Sequence, residues 1–314
     1  MRVLVMGTGG LGGYYGNALA QGGHEVVFVA RGKHLAAINS NGLTLKSLVT
    51  GQTTVLQPAT AVERPADAPP GPDFDLIIFT VKAFDTESAA ALLAPAVGPN
   101  TAILTLQNGV DSVDLIGAAV GREHMLPGTT RINCVIGEPG VIVQNTPFSK
   151  LEMGELSGEE TPRLAMIAGA FRALGIEVFV SDDPLRETWT KFIMIAPHAT
   201  LTSATGQAVA AIRELPEGAA LYRSLIEEVT AVGRASGVNL APDAVERTMD
   251  FIMNLPAGAK TSMLFDYERQ NRVELDYLTG TVVRRGKALG LPTPQFDALY
   301  AVLKVRAKAF GGIT

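Results

Sequence analysis

The sequence predicts an α/β protein in two parts: an N-terminal domain built on a parallel β-sheet, followed by an all-helical C-terminal domain. Short apolar, β-branched runs alternate with helical periodicity in the first part, beginning at residues 2–6. Several of these runs end at a glycine turn or a polar residue, as strands do at the edge of a parallel sheet where ligands bind. Beyond the Ser-Asp-Asp-Pro segment at 181–184 the strand-like runs disappear. We therefore expect domains at residues 1–182 and 183–314.

The first strand breaks directly into a glycine-rich turn with the pattern G-x-G-x-x-G, which consists of Gly7, Thr8, Gly9, Gly10, Leu11 and Gly12. The first glycine permits the tight turn, the second lets the backbone approach a pyrophosphate, and the third lets the next helix pack closely on the strand. A helix over 14–21 and a strand over 25–30 complete a β-α-β unit, and the helix N-terminus would face the phosphates. The pattern predicts a Rossmann-type dinucleotide-binding domain. The alternative is a glycine-rich turn that binds nothing.

Arg31 follows the second strand, at the position where an acidic residue would accept the ribose 2′-hydroxyl of NAD. A guanidinium offers a planar fork of donors that suits a 2′-phosphate, whereas a carboxylate would repel it. The sequence therefore favours NADP(H) over NAD and FAD. A solvated loop charge is the competing interpretation.

Hydrophobic patterning predicts the remaining elements in chain order. In the first domain these are a helix over 34–41, two strands within 42–57, strands over 75–81 and 101–106, a helix over 86–93, strands within 126–136, 141–144 and 150–154, a helix over 161–174 and a strand over 175–180. In the second domain helices are expected over 186–210, 217–236, 242–254, 262–271, 274–289 and 295–309.

Two polar residues follow predicted strands of the sheet, where ligands collect. Lys82 ends the strand over 75–81 and is a candidate cofactor contact, or it simply starts the next helix. Asn108 follows the strand over 101–106 in the tripeptide Gln-Asn-Gly, and its amide could donate and accept hydrogen bonds at the mouth of the site. An ordinary turn asparagine is the competing interpretation there.

Reduction of a ketone by hydride produces an alkoxide, which requires a nearby proton donor. Lys191 is a cation in an otherwise apolar stretch just past the domain boundary, and burial would make it a competent acid. A lysine that extends its head to solvent from a helix edge fits the pattern equally well. Glu274 could orient the lysine or bind the substrate, or could interact with a helix N-terminus. Ser262 could bind a substrate carboxylate, or could cap its own helix.

Charge and cysteine content limit the other classes of function. The 26 basic and 31 acidic residues give a net charge of −5, which provides no basic field for nucleic acid or an anionic membrane. Small molecules are therefore the expected partners. The single cysteine, Cys134, cannot form an internal disulfide, and no leader-like segment is recognised, so we expect a cytoplasmic protein. The uncharged stretch 192–212 contains Pro197, His198 and several hydroxyl residues, which favours a buried helix over a membrane span. Four scattered histidines show no metal-ligand spacing.

Taken together, these motifs resemble the ketopantoate reductase (2-dehydropantoate 2-reductase) family from the first residue to about residue 309. The matching segments are GTGGLG, the arginine after the second strand, VKAF, QNG, PGTT, WTKF, TSMLFD and VELDYLTG. The resemblance implies NADPH-dependent reduction of a 2-keto acid, most directly of 2-dehydropantoate to pantoate in pantothenate biosynthesis. It implies that Lys191 is the general acid, that Glu274 assists it and that Ser262 contacts the substrate. It places Asn108 near the nicotinamide and substrate, and Arg31 and Lys82 on the adenosine side.

One departure from the family pattern concerns the substrate. The family helix carries asparagines four and eight residues after its lysine, whereas this chain has Ile195 and Ala199. Positions with this spacing share a helix face with Lys191, so we expect both side chains to face the substrate. His198 either replaces one amide or faces the helical core. The alternatives are thus a reductase of a more apolar 2-oxo acid, or a non-catalytic NADPH-binding sensor. A homodimer is an assembly that the sequence leaves open.

Overall fold

The computed structural model describes residues 1–147 and 149–313, and the chain divides into two compact units. The first unit, called the sheet unit here, contains Met1–Gln107 and Ser112–Glu187. The second, called the helical unit, contains Asn108–Asp111 and Thr188–Thr314. The division at 187/188 concerns compactness, and the domain boundary at 182/183 stays a prediction.

Among residues 1–147 and 149–187, twelve strands form two sheets in the sheet unit. In chain order they are β1 (Arg2–Met6), β2 (Glu25–Val29), β3 (Leu43–Ser47), β4 (Thr53–Leu56), β5 (Thr60–Val62), β6 (Leu76–Phe79), β7 (Ala102–Thr105), β8 (Met125–Arg131), β9 (Cys134–Glu138), β10 (Val141–Gln144), β11 (Lys150–Met153) and β12 (Val178–Val180). The larger sheet has eight strands in the order β12-β11-β8-β7-β6-β1-β2-β5. Its neighbours are parallel except for β8 and β11, which are antiparallel. The predicted α/β domain with a largely parallel sheet is confirmed.

The smaller sheet has four strands in the order β4-β3-β10-β9 and packs against the first helix of the chain. The two strands predicted within 42–57 are β3 and β4, which pair in antiparallel fashion. The segment 126–136, predicted as strand, is however divided between the two sheets. β8 ends at Arg131 in the larger sheet, and β9 begins at Cys134 in the smaller one. Hydrophobic character alone could not reveal this change of sheet, because apolar and β-branched residues occur in both strands.

In the described part of the sheet unit, five α-helices cover the two faces of the larger sheet: α1 (Gly10–Gln21), α2 (Gly32–Asn41), α3 (Thr86–Ala90), α4 (Ser112–Val120) and α5 (Pro162–Ala173). Each face has its own hydrophobic core, one around Tyr15 and Phe171 and the other around Phe79 and Ile116. α4 is not among the predicted helices, because its sequence has too few polar residues to show a helical period. β5, a short edge strand, is not among the predicted strands. The helix predicted to end at 93 ends at Ala90.

Up to residue 313, where the described part of the chain ends, seven α-helices follow: α6 (Pro184–Thr205), α7 (Val209–Arg213), α8 (Pro216–Ala235), α9 (Ala244–Met253), α10 (Ser262–Glu268), α11 (Thr279–Ala288) and α12 (Pro294–Lys308). From residue 188 onward they pack around one hydrophobic core that includes Phe192, Tyr222 and Phe296. The predicted all-helical second part is confirmed. Across the described ranges, no helix has both the length and the apolar character needed to cross a membrane.

Two predicted helices are interrupted in the structure. The helix predicted over 186–210 ends at Thr205, because Gly206 adopts a left-handed conformation (φ +70°) that separates α6 from α7. The helix predicted over 274–289 begins only at Thr279. A 3₁₀ turn at Leu275–Tyr277 precedes it, and the backbone of Leu278 (φ −106°, ψ −80°) leaves the helical region between the two. Glu274 therefore lies ahead of a 3₁₀ turn rather than at the start of an α-helix.

Candidate active site

The glycine turn after β1 is shaped by contacts that exclude a β-carbon. Gly7 has φ +100°, and a Cβ there would collide with Val81. A Cβ on Gly12 would collide with the Gly7 carbonyl and with Thr80 Oγ1, which itself donates to that carbonyl at 2.8 Å. These contacts hold α1 against the turn, as the sequence analysis assigned to the first and third glycines.

Gly9 differs from the other two glycines because its missing side chain borders open space, with no atom within 4 Å of a built Cβ. Gly9 is also the N-cap residue of α1, and no side chain caps this helix. Thr8 is held away by its backbone and hydroxyl, which both donate to the Val29 carbonyl at 3.0 and 2.9 Å. A helix start without a cap, beside open space over a glycine, suits a phosphate group. The residues present therefore fit a dinucleotide.

Arg31 lies at the same edge of the larger sheet as the glycine turn. β1 and β2 are parallel with Met6 opposite Val29, so the residues that follow each strand emerge side by side. Arg31 is exposed and precedes α2, with Gly32 in a left-handed conformation (φ +54°). An exposed guanidinium at this edge is compatible with a phosphate ligand.

His34, in the first turn of α2, is a polar residue that the sequence analysis did not select. The Gly140 backbone N–H donates to its Nδ1 at 2.9 Å, which leaves the ring hydrogen of the neutral form on Nε2. That Nε2 is buried and has no hydrogen-bond partner in the described ranges. Burial lowers the pKa of His34, and the nearby Thr8 backbone opposes that shift. The His34 ring thus lies beside the glycine turn. Its placement depends on a contact with Gly140, which is distant in the sequence, so local sequence patterns do not predict it.

β6 and β7 bring two more polar residues to this edge. Lys82 is exposed and precedes a 3₁₀ turn at Ala83–Asp85, whereas the N-cap residue of α3 is Asp85. Gln107 is buried, and its amide donates to the Val81 carbonyl at 2.9 Å and to Thr86 Oγ1 at 2.8 Å. Gln107 thereby fastens the ends of the two strands together.

Asn108, the next residue, belongs to the helical unit. It is half-buried and precedes Gly109, whose φ of +111° only glycine adopts readily. Val110 is buried in the hydrophobic core of the helical unit. Asn108 therefore begins a short segment, Asn108–Asp111, that is anchored in the helical unit through the buried side chain of Val110.

Lys191 lies on α6 and is half-buried, and it takes part in interactions with its surroundings. The neighbouring Trp189, Phe192 and Ile193 are all buried in the helical core. The helix face that carries Lys191 is consequently anchored on both sides by large apolar side chains.

Glu274 and Ser262 occupy contrasting environments. Glu274 is only 7% exposed, and its carbonyl accepts the backbone N–H groups of Tyr277 and Leu278 at 3.1 Å each. Ser262 is exposed and does not cap its helix. The N-cap residue of α10 is Thr261, whose hydroxyl accepts the Leu264 N–H at 3.3 Å. The capping interpretation of Ser262 is therefore wrong.

The structure places the three residues that the sequence linked to substrate choice, Ile195, His198 and Ala199, in different environments. His198 is buried, and its Nδ1 lies 3.0 Å from the Tyr222 hydroxyl in the helical core. Burial lowers the pKa of His198 to about 4, so the ring is neutral near pH 7. Ala199 is 1% exposed and belongs to the same core, so its predicted role on a substrate-facing surface is wrong. Ile195 is half-buried and packs against this core.

Neither a metal cluster nor a reactive thiol emerges from the described residues. Residues 1–147 and 149–313 contain no group of three or more histidine, cysteine, aspartate or glutamate side chains that could hold a metal ion. Burial raises the pKa of the Cys134 thiol to about 12, which keeps it protonated.

Comparison with known proteins matches both parts of the chain to one family. Residues 3–158 match the family model described as ketopantoate reductase PanE/ApbA, and residues 183–307 match the model of its C-terminal part. A 2-dehydropantoate 2-reductase of Mesorhizobium japonicum is 29% identical, covering 97% of each chain. An uncharacterized oxidoreductase of Bacillus subtilis, YkpB, is 28% identical, covering 97% of this chain and 98% of that protein.

Solved structures show the same similarity. A PanE/ApbA family ketopantoate reductase from Ralstonia eutropha superimposes with a TM-score of 0.89 at 30% identity, covering 99% of this chain and 100% of that one. A D-mandelate dehydrogenase solved with NADH and anilino(oxo)acetate has a TM-score of 0.88 at 20% identity, with the same coverage. The latter shows that the fold is shared.

Proposed function

Because the chain belongs to the ketopantoate reductase family, we propose that it reduces a 2-oxo acid to the corresponding 2-hydroxy acid with NADPH. Beyond family membership, one observation carries the proposal. The turn after β1 combines an uncapped helix start with open space over Gly9. Together they offer a dinucleotide phosphate both unpaired backbone N–H groups and room to bind. The proposal assigns the cofactor to this turn and the proton chemistry to side chains of the helical unit.

The cofactor, when bound, supplies the hydride. We assign its pyrophosphate to the backbone of the glycine turn, from Gly7 through Thr8, Gly9, Gly10 and Leu11 to Gly12. Arg31 would bind the 2′-phosphate, because an exposed guanidinium at the end of β2 can form charge-assisted bonds that a ribose hydroxyl cannot match. Lys82 would contact the adenosine side, and the resemblance assigns Asn108 to the nicotinamide.

Lys191 is the proposed general acid. Its ammonium would donate a proton to the oxygen that was the ketone of the substrate, while the apolar neighbours Trp189, Phe192 and Ile193 fix the helix that carries it. Glu274, a buried carboxylate, would orient the ammonium or bind the substrate. The exposed hydroxyl of Ser262 would donate a hydrogen bond to the substrate carboxylate.

We propose 2-dehydropantoate as the first substrate to test, with pantoate as product and pantothenate biosynthesis as the setting. A more apolar 2-oxo acid is the second candidate, and Ile195 favours it. This side chain replaces an amide of the family pattern and is half-buried on α6 one turn beyond Lys191. A substrate hydroxyl next to Ile195 would lose a hydrogen bond, whereas an apolar tail would lose nothing.

Oxidation of NADPH on addition of 2-dehydropantoate, and of a panel of 2-oxo acids with apolar tails, tests the proposal. Turnover of any of these acids, with formation of the 2-hydroxy acid, supports a reductase, and the ranking identifies the substrate. Tight NADPH binding without turnover of any acid would contradict it and favour a sensor that binds the cofactor. We also propose a cytoplasmic location, and a homodimer that analytical ultracentrifugation would test.

A further inference from the structure

The short segment Asn108–Asp111 follows a strand of the sheet unit but is held by the helical unit. Val110 is buried in the helical core. A Cβ on Gly109 would lie 3.2 Å from the carbonyl oxygen of Tyr277, so the two backbones are nearly in contact. The proposed nicotinamide contact, Asn108, therefore begins a segment whose position depends on the helices.

Asp111 makes the strongest polar connection of this segment. One carboxylate oxygen accepts Arg285 Nε at 2.9 Å and Nη2 at 2.7 Å. The other oxygen accepts the Thr281 hydroxyl at 2.7 Å and lies 3.4 Å from Arg284 Nη2. Asp111 is mostly shielded from water, with 22% of its side chain exposed, so these charge-assisted bonds are weakly screened.

The Asp111 partners all lie on α11, which is itself fixed to the elements that carry Lys191 and Glu274. The Arg285 guanidinium lies 5.7 Å from the ring of Trp189, two residues before Lys191 on α6. Arg284 Nη1 donates to the Asp276 carbonyl at 2.6 Å, two residues after Glu274. The same two arginines thus contact the surroundings of both candidate catalytic groups.

The geometry points to Asp111 as a positioning residue, which fixes the Asn108 amide relative to Lys191 and Glu274 through α11. The inference rests on the proposed function, because it takes Asn108 to contact the nicotinamide. Its consequence is that the position of Asn108 is set by contacts within the helical unit. Loss of the Asp111 carboxylate would let Asn108 shift, and a shift of about 1 Å in a reacting arrangement can cost about 100-fold in rate.

A double-mutant cycle between Asp111→Asn and Asn108→Ala tests this inference in the full-length protein with NADPH and its best 2-oxo acid. Asp111→Asn should lower kcat by about 10- to 100-fold while the Kd for NADPH stays unchanged. If Asp111 acts through Asn108, the double variant should be no slower than Asn108→Ala alone. Multiplying effects, or a wild-type kcat in Asp111→Asn, would overturn the inference.

The outcome for Asn108→Ala alone separates the two proposals. A wild-type kcat in that variant would contradict the role of Asn108 in the proposed function, and the positioning role would fail with it. A slow Asn108→Ala variant together with a normal Asp111→Asn variant would leave the proposed function intact and overturn only the positioning role.

Hydrogen exchange of the backbone amides at 109–111 gives a second readout that is independent of turnover. These amides should exchange faster in Asp111→Asn than in wild type, and unchanged exchange would overturn the inference. Glu246→Gln is a matched control, since it weakens a bidentate pair with Arg223 between α8 and α9. It should alter neither kcat nor exchange at 109–111, and an equal effect in both variants would show that the response is not specific to Asp111.

Discussion

The glycine turn of the sheet unit is formed by backbone groups, whereas the Lys191 region of the helical unit is formed by side chains that contact one another. The shape of the turn depends on the absence of side chains at Gly7 and Gly12, and the absence of one at Gly9 leaves open space. The helical region consists of side chains held by other side chains, such as Asp111 with Arg285 and Thr281. The proposed phosphate contacts of the cofactor and the proposed proton donor therefore lie in separate parts of the sequence. Substitutions should be able to damage one and spare the other.

The largest separation is expected from Lys191→Ala. Loss of the proposed acid should lower kcat by about 10²- to 10⁴-fold, the usual contribution of one positioned acid or base. The Kd for NADPH should stay near the wild-type value, because the proposed phosphate contacts, the backbone of the glycine turn and the Arg31 side chain, belong to the other unit. Steady-state kinetics and a fluorescence titration measure the two quantities. An unchanged kcat on the best substrate would show that another group is the acid.

The helical unit should also respond to pH through His198. Its folded pKa is about 4, whereas an unfolded histidine titrates near 6.5, so the unfolded chain binds more protons between these values. This contribution to the free energy of unfolding is fully present above about pH 6.5 and falls by about 3 kcal/mol as the pH falls to 4. Urea unfolding across this range measures it. His198→Gln should flatten the dependence, and an unaltered slope in that variant would assign it to other groups.

Arg31→Ala tests the side chain that is proposed to bind the 2′-phosphate of the cofactor. NADPH binding should weaken by about 10- to 100-fold, since a hydrogen bond to a charged group contributes about 1.5–3 kcal/mol. NADH binding should change little, because it lacks the 2′-phosphate. Titration of both cofactors against both proteins gives the comparison. Equal losses for NADPH and NADH would contradict the preference for NADP.

The smallest expected effect concerns substrate choice at Ile195. Ile195→Asn should raise kcat/KM for 2-dehydropantoate relative to apolar 2-oxo acids by about 5- to 100-fold, corresponding to about 1–3 kcal/mol for one polar partner. Met194→Asn, one position along the same helix, is the control. The double change with Ala199 is not informative, because an amide at that buried position would disturb the core. An unchanged preference in Ile195→Asn would exclude this position as a determinant.

The glycine turn and the helical unit also differ in how well the sequence predicts their structure. The glycine turn, β1, β2 and Arg31 were predictable because they depend on neighbours within one β-α-β unit. The start of α11 and the ends of α6 and α10 were not, because those helices are interrupted by local backbone conformations that hydrophobic periodicity does not encode. The attachment of Asn108 to the helical unit was also hidden. It depends on Asp111 and on arginines more than 170 residues away in the sequence.

The burial of Ala199 shows the same limit at single-residue scale. Helical spacing correctly puts residues 191, 195 and 199 on adjacent turns, but it cannot tell which turn of that face meets the core. Tyr222 and Val229 of α8 lie with Ala199 in this core, and their contribution becomes visible only in three dimensions. Hydrophobic patterning therefore predicts the helix, whereas the environment of each of its turns is determined by tertiary packing.

The division between backbone and side-chain sites is tested most directly by titrating NADPH into Gly9→Ala and Lys191→Ala alongside wild type, with single-turnover rates measured on the same preparations. The Cβ of Gly9→Ala would enter open space, so the protein should fold with an unchanged thermal midpoint but bind NADPH weakly. At saturating NADPH, Gly9→Ala should still turn over substrate, whereas Lys191→Ala should bind NADPH normally and react slowly. Wild-type NADPH affinity in Gly9→Ala, or lost affinity in Lys191→Ala, would contradict the account.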